Sequence, residues 1–176
     1  MNIHKIISNF FYIGPGGTEM KPATHVLLNF TKGYDHKKYW HRRTMVTNPK
    51  SRIWLPIKLY YMFYIKRQDG KHGCSFGTLW NGGAKFLTPP NLPHGPYGII
   101  VGNDAVVGRD CRIFHQVTIA GGNVVIGNNV ELGAGAKVLP NVSIGNFCHV
   151  GANAVVVENM PDYSTCVMQK PRIIIK

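Results

Sequence analysis

Between Val101 and Val156 an aliphatic side chain returns every six residues: Val101, Val107, Ile113, Ile119, Ile126, Leu132, Val138, Ile144, Val150 and Val156. Every step is six except Ile119 to Ile126, which is seven. Glycine follows many of these positions, at Gly102, Gly108, Gly127, Gly133, Gly145 and Gly151. Four residues after the aliphatic position comes a small or apolar residue, as at Ala105, Cys111, Val117, Val130, Ala136, Val142, Cys148 and Ala154. Neither the helical period of 3.6 nor the strand period of 2 sustains such a pattern. A solenoid does: each six-residue unit is one short strand and a corner, and three units close one coil. The aliphatic residue then points inward and stacks on its equivalent one coil away, while glycine permits the corner.

The period extends upstream to Cys74, Trp80, Phe86 and Leu92, and a nine-residue step to Val101 bulges out around "HGPYG". Before Cys74 it stops. Asn48 to Asp69 reads as a helix or a pair of helices, with Pro49 near its start and Gly70 after its end. Its aromatic residues are expected to pack on the open end of the solenoid, because a solenoid needs a cap. Residues 1–47 give no clear pattern. The expected organisation is a basic, aromatic N-terminal segment with helix (1–73), a repeat domain (74–160) and a C-terminal tail (161–176).

Charge is divided unevenly. The net charge is +12, and residues 1–98 hold 14 Lys and Arg against three acids, Glu19, Asp35 and Asp69. That half suits an anionic membrane surface, an anionic cosubstrate or nucleic acid. The four cysteines lie far apart with no CxxC pair, which argues against a zinc knuckle and a disulfide framework. The longest apolar run, residues 53–65, is interrupted by Pro56 and Lys58 and is shorter than the ~20 residues of a membrane span. Met1 to Tyr12 shows no signal peptide. A cytoplasmic protein with free thiols is expected.

The repeat also places the histidines. Counted in threes, Leu92, Ile113, Leu132 and Val150 share one face, and the residues two positions on are His94, His115, Ala134 and Ala152. Two imidazoles should therefore stack one coil apart, about 5 Å, with small residues beyond them. Histidine suits proton transfer near neutral pH.

The segments "LPHGPYGIIVGNDAVVG", "IFHQVTIAGG" and "VVIGNNVELGAGAKVLPNVSIGNFCHVGANAVVVENMPD", with the tail "KPRIII", resemble the hexapeptide-repeat acyltransferases. Within them, the chain is most similar to the serine acetyltransferase-like and polysaccharide O-acetyltransferases. The resemblance implies a mainly β fold, a left-handed parallel β-helix with an N-terminal, partly helical cap. It implies a homotrimer with acetyl-CoA lying in a cleft between subunits, and no metal. It assigns His94 as the base that deprotonates an acceptor hydroxyl, and gives His115 a role in supporting catalysis or in binding. Ala134 and Ala152 would lie under the pantetheine arm, and Lys137, Lys170 and Arg172 would meet the cofactor phosphates. Gly121 and Gly122 would contribute backbone N–H groups toward the oxyanion.

Serine acetyltransferases place an aspartate just before this histidine, where this chain has Pro93, and their longer loop with a second histidine is replaced by the short "IAGGNVVIG". The sequence therefore favours a sugar or glycan-precursor hydroxyl as acceptor, with peripheral contact at the inner face of the membrane, over free serine. Of the other classes, a γ-type carbonic anhydrase needs three imidazoles on one zinc and two histidines five apart, a pair this chain lacks. A basic nucleic-acid-binding module would use the N-terminal aromatics for stacking, but these are expected to form the cap.

Overall fold

The computed structural model describes residues 33–169 and residue 174. The described residues divide into two units between Tyr39 and Trp40. In the first, Asp35 starts helix α1 (His36–Thr47), accepting the Lys38 N–H at 2.9 Å on Oδ1; from Trp40 on, the helix belongs to the second unit. A short acidic side chain there satisfies one of the unpaired N–H groups of the first turn.

The second unit is a parallel β-solenoid preceded by helix α2 (Leu55–His72). Its strands are two residues long and build three sheets. The first stacks β1 (Ser75–Phe76), β5 (Ile100–Val101), β8 (Thr118–Ile119), β11 (Lys137–Val138) and β14 (Val155–Val156). The second stacks β4 (Lys85–Phe86), β6 (Val106–Val107), β9 (Val125–Ile126) and β12 (Ser143–Ile144). The third stacks β7 (Arg112–Ile113), β10 (Glu131–Leu132), β13 (His149–Val150) and β15 (Thr165–Cys166). Aliphatic residues pair in register down each face, as in Ile113, Leu132 and Val150. All of the repeat positions from Val101 to Val156 are buried, as are the small or apolar residues that follow them. Full burial of one Val, Leu or Ile contributes about 1.5–3 kcal/mol, so this column is the main stabilising feature.

Coils approach too closely for side chains at the glycine corners. A Cβ on Gly108 would sit 2.2 Å from the Gly127 carbonyl oxygen of the next coil. The corners turn through left-handed residues three positions after the inward aliphatic: Asp110, Gln116, Asn129, Gly135, Asn141, Phe147 and Asn153 all have positive φ. Asn, Asp and Gly reach this region at least cost. The seven-residue step places its extra residue in the corner after Ile119, where Gly122 and Asn123 both have positive φ. Asp104, one coil earlier, accepts the N–H groups of Gly122 at 2.7 Å and Asn123 at 3.0 Å.

Upstream of Val101 the structure departs from the expected period. Phe76, not Cys74, occupies the inward position and pairs with Val101. Trp80 is no rung: β2 (Thr78–Leu79) and β3 (Gly82–Gly83) form an antiparallel hairpin with Trp80 and the left-handed Asn81 at its tip. Phe86 and Leu92 keep their expected faces, Phe86 against Val107 and Leu92 through the bridge of Asn91 to Arg112.

Helix α2 starts later and ends later than expected. Pro56 stands in its first turn, Gly70 lies inside it, and Gly73 ends it in the left-handed conformation. The cap is also built differently. Trp40 of α1 meets Phe76 and Phe86 edge-on, with centroids 5.2 and 4.8 Å apart. Arg43, only 4% exposed, donates to the carbonyls of Phe76 and Ala84 at 2.8 and 2.7 Å and to Thr78 Oγ1 at 3.1 Å. From α2 it is Ile65, Lys58, Asp69 and His72 that are buried, while Trp54, Tyr60 and Phe63 face outward.

Asp104 yields a test. The backbone N–H groups of Asn123 and Gly122 hold its carboxyl below the ordinary carboxylate value. A lowered folded-state pKa stabilises the fold above the unfolded pKa, and that contribution is lost as pH falls through the folded value. Asp104→Asn should therefore flatten the acid limb of a plot of Tm against pH. Hydrogen exchange at Gly122 and Asn123 should be faster in the variant.

Candidate active site

The third sheet meets the first at a corner that carries residues 114–117 in one coil and 133–136 in the next. The segment 92–98 reaches the same corner from the preceding coil and is stiff. Its ring constraints are Pro93 and Pro96, and Gly95 and Gly98 take positive φ. Gly95 N–H donates to the Leu92 carbonyl at 3.0 Å, and Ile99 N–H to that of Pro96 at 3.2 Å. The Tyr97 carbonyl accepts the Gln116 N–H at 2.9 Å, which ties the segment to the corner. Helix α2 braces it from the other side. The His72 carbonyl accepts the Gly98 N–H at 3.2 Å, and the buried His72 ring meets Tyr97 edge-on, centroids 5.2 Å apart. His72 is itself held by donating from Nδ1 to the Gln68 carbonyl at 2.9 Å.

This frame brings His94 and His115 together. Their Nδ1 atoms are 2.8 Å apart, and their ring centroids are 4.9 Å apart. His94 is exposed, His115 half-buried, and Phe114 stands edge-on to His94 with centroids 5.3 Å apart. A contact of 2.8 Å between two nitrogens requires one proton between them, so one ring donates from Nδ1 and the other accepts. With both rings neutral, the donor keeps a lone pair on Nε2 and the acceptor keeps its proton there. The pair thus offers one base and one donor from adjacent rings.

The other predicted residues fall in three groups. Ala134 and Ala152 continue the column below the histidines; Ala134 is half-buried and Ala152 exposed. Lys137 lies on β11, on the next face, with its side chain exposed. Gly121 and Gly122 stand at the following corner, beyond β8, and the Gly122 N–H is already donated to Asp104. It is therefore not a free oxyanion donor in this arrangement. Lys170 and Arg172 lie outside the described residues. Phe114 and Gln116, which hold the corner, were not singled out in the sequence. A signal for Gln116 existed, since it stands at the third position after an inward aliphatic, where this chain repeatedly has Asn, Asp or Gly.

Thiol chemistry is disfavoured at Cys74 and Cys111. Burial and the neighbouring Asp69 carboxylate push the Cys74 thiol up to about 12, and burial raises that of Cys111. Among the described residues no group of three His, Cys, Asp or Glu side chains is placed to hold a metal ion.

Residues 123–157 match the family model described as bacterial transferase hexapeptide (six repeats). Over those residues the repeat is similar to that of the hexapeptide transferases. The serine acetyltransferase of Helicobacter pylori is 38% identical over 101 residues, 53% of this chain and 58% of the relative. The serine acetyltransferase of Neisseria gonorrhoeae, solved in complex with serine, superposes with a TM-score of 0.59 at 26% identity, covering 77% of this chain and 54% of that one. A serine acetyltransferase solved in complex with CoA shares the fold, with a TM-score of 0.57 at 22% identity over 84% of this chain and 54% of that one. The chain spans less than two thirds of the length of each of these relatives.

Proposed function

We propose that the chain transfers an acetyl group from acetyl-CoA to a hydroxyl, with His94 as the general base. The observation that carries this reading is the contact between the two Nδ1 atoms at a corner where small residues continue the column. His94 donates from Nδ1 to His115, which leaves the His94 Nε2 lone pair for the acceptor hydroxyl. As the oxygen attacks the thioester carbonyl, that proton passes to Nε2. The imidazolium so formed keeps its Nδ1–H bond to His115, now charge-assisted and stronger. His115 thus orients the base and stabilises its charged form, a task carboxylates perform in other hydrolases and transferases. The tetrahedral adduct collapses, its C–S bond breaks, and the departing CoA thiolate takes the proton from His94 Nε2, which returns the base to its neutral form. CoA would run past Ala134 and Ala152, with Lys137 available to a phosphate on the adjoining face.

For the acceptor, L-serine is the first reading. The relatives that match at 38% identity are serine acetyltransferases, and one similar structure holds serine. The sugar acceptor favoured by the sequence is the second reading. Its support is that, among the described residues, the imidazole pair has no carboxylate bonded to it that would meet a substrate ammonium, and Pro93 precedes His94. The proposed assembly is a homotrimer in which a neighbouring subunit supplies the second wall of the cleft.

Three measurements check these statements. Thiol release from acetyl-CoA should rise with L-serine; a rise only with mono- or oligosaccharides would transfer the assignment to the second reading, and no rise with either would remove it. His94→Ala should lower kcat by about 10²- to 10⁴-fold, as expected for loss of a general base. His115→Ala should cost about tenfold, and His115→Gln, which keeps an acceptor, less than that. Equilibrium sedimentation should return three times the 19.6 kDa chain mass; an active monomer would refute the shared cleft.

A further inference from the structure

Helix α2 has a largely exposed apolar face, on which Arg42 lies over the Tyr60 ring at 5.1 Å from its centroid. Trp54, at the helix start, is 71% exposed, and Leu55, Leu59, Tyr60 and Phe63 on α2 are each more than half exposed. Leu55, Leu59 and Phe63 are spaced by four and form one stripe, about a third of a turn round the helix from the buried line of Lys58, Ile65, Asp69 and His72. Isolated exposed apolar residues are ordinary, but a contiguous set on one helix marks a surface that another phase or partner covers.

The charges around it select the partner. Lys50 and Arg52 precede the apolar stretch, Arg67 and Lys71 follow it, and all four are exposed. The acid within α2, Asp69, is turned into the interior. The surface is therefore apolar in its middle, cationic at both ends and without a carboxylate of its own. A second copy of this helix would bring like charges together. A nucleic acid would find its phosphates opposite Leu and Phe. An anionic bilayer matches both features: acyl chains accept the apolar stripe, headgroups meet the flanking cations, and Trp and Tyr favour the boundary between them. No described helix is long and apolar enough to cross a membrane, so the contact would lie in the plane of the surface.

We infer that α2 docks the protein onto anionic lipid surfaces, with Trp54, Leu55, Leu59, Tyr60 and Phe63 entering the headgroup layer. This inference is independent of the acetyl-transfer reading.

The test uses the full chain at low salt with two vesicles, pure phosphatidylcholine and an equimolar mixture with phosphatidylglycerol. The chain should pellet with the mixture and not with pure phosphatidylcholine. Its tryptophan emission should shift to the blue on binding, and Trp54→Phe should abolish that shift. The double variant Leu59→Glu and Phe63→Glu should bind at least about tenfold more weakly while its thermal unfolding is unchanged, because both positions are exposed. Four results would overturn the inference: equal pelleting with both vesicles, no pelleting with either, full binding by the double variant, or a native oligomer that the double variant breaks. Tighter retention on duplex DNA than on the anionic vesicle would assign the surface to nucleic acid instead.

Discussion

A coil of this solenoid has no interior of its own. Three two-residue strands enclose a triangle too small to bury anything except against the coils before and after it. The inward aliphatic residues therefore stack in columns, and the backbone hydrogen bonds run from coil to coil. Everything else in the unit follows from that dependence. The corners must turn within a few residues, so left-handed backbone recurs there. Coils must come close, so Gly108 sits where even a methyl group would strike the Gly127 carbonyl. Among the described residues no coil precedes the first, and Trp40, Phe76 and Phe86 close its end, with Arg43 taking up the carbonyls of Phe76 and Ala84.

What the sequence makes legible follows the same logic. From Val101 to Val156 each residue's place is set by a local, repeating rule, so the period alone assigns the three faces, and the column of His94, His115, Ala134 and Ala152 can be counted off. Upstream of Val101 the rule fails because the end of a stack obeys different physics. Phe76 is chosen to meet Trp40 across more than thirty residues, and Trp80 belongs to a hairpin, yet both lie near multiples of six. The end of α2 was misplaced because Gly70 looks like a stop, whereas the left-handed turn is at Gly73, three residues on. The direct contact between the two imidazoles was not legible. Period six gives the column and the coil spacing, but the approach of the Nδ1 atoms to 2.8 Å depends on the rotamers and on the course of residues 92–98.

That segment joins parts of the molecule that composition separates. It leaves the third face, carries His94 outward, is stitched to the corner at Gln116 and is braced by the end of α2 at His72. The basic, aromatic helix and the imidazole pair are thus linked by a short run of backbone bonds rather than by a flexible tether.

The one irregular step of the repeat has a consequence for assembly of the stack. Hexapeptides are nearly interchangeable, so a growing solenoid risks pairing a strand with the wrong coil, displaced by a full turn, at little loss of buried area. The extra residue after Ile119 fits only where a carboxylate from the preceding coil waits for two amides, and that carboxylate is Asp104. A chain slipped by one coil would leave the bulge without its acceptor and press it against a corner built for six. The irregularity works as an index mark, which tells each coil its number in a structure whose units otherwise look alike.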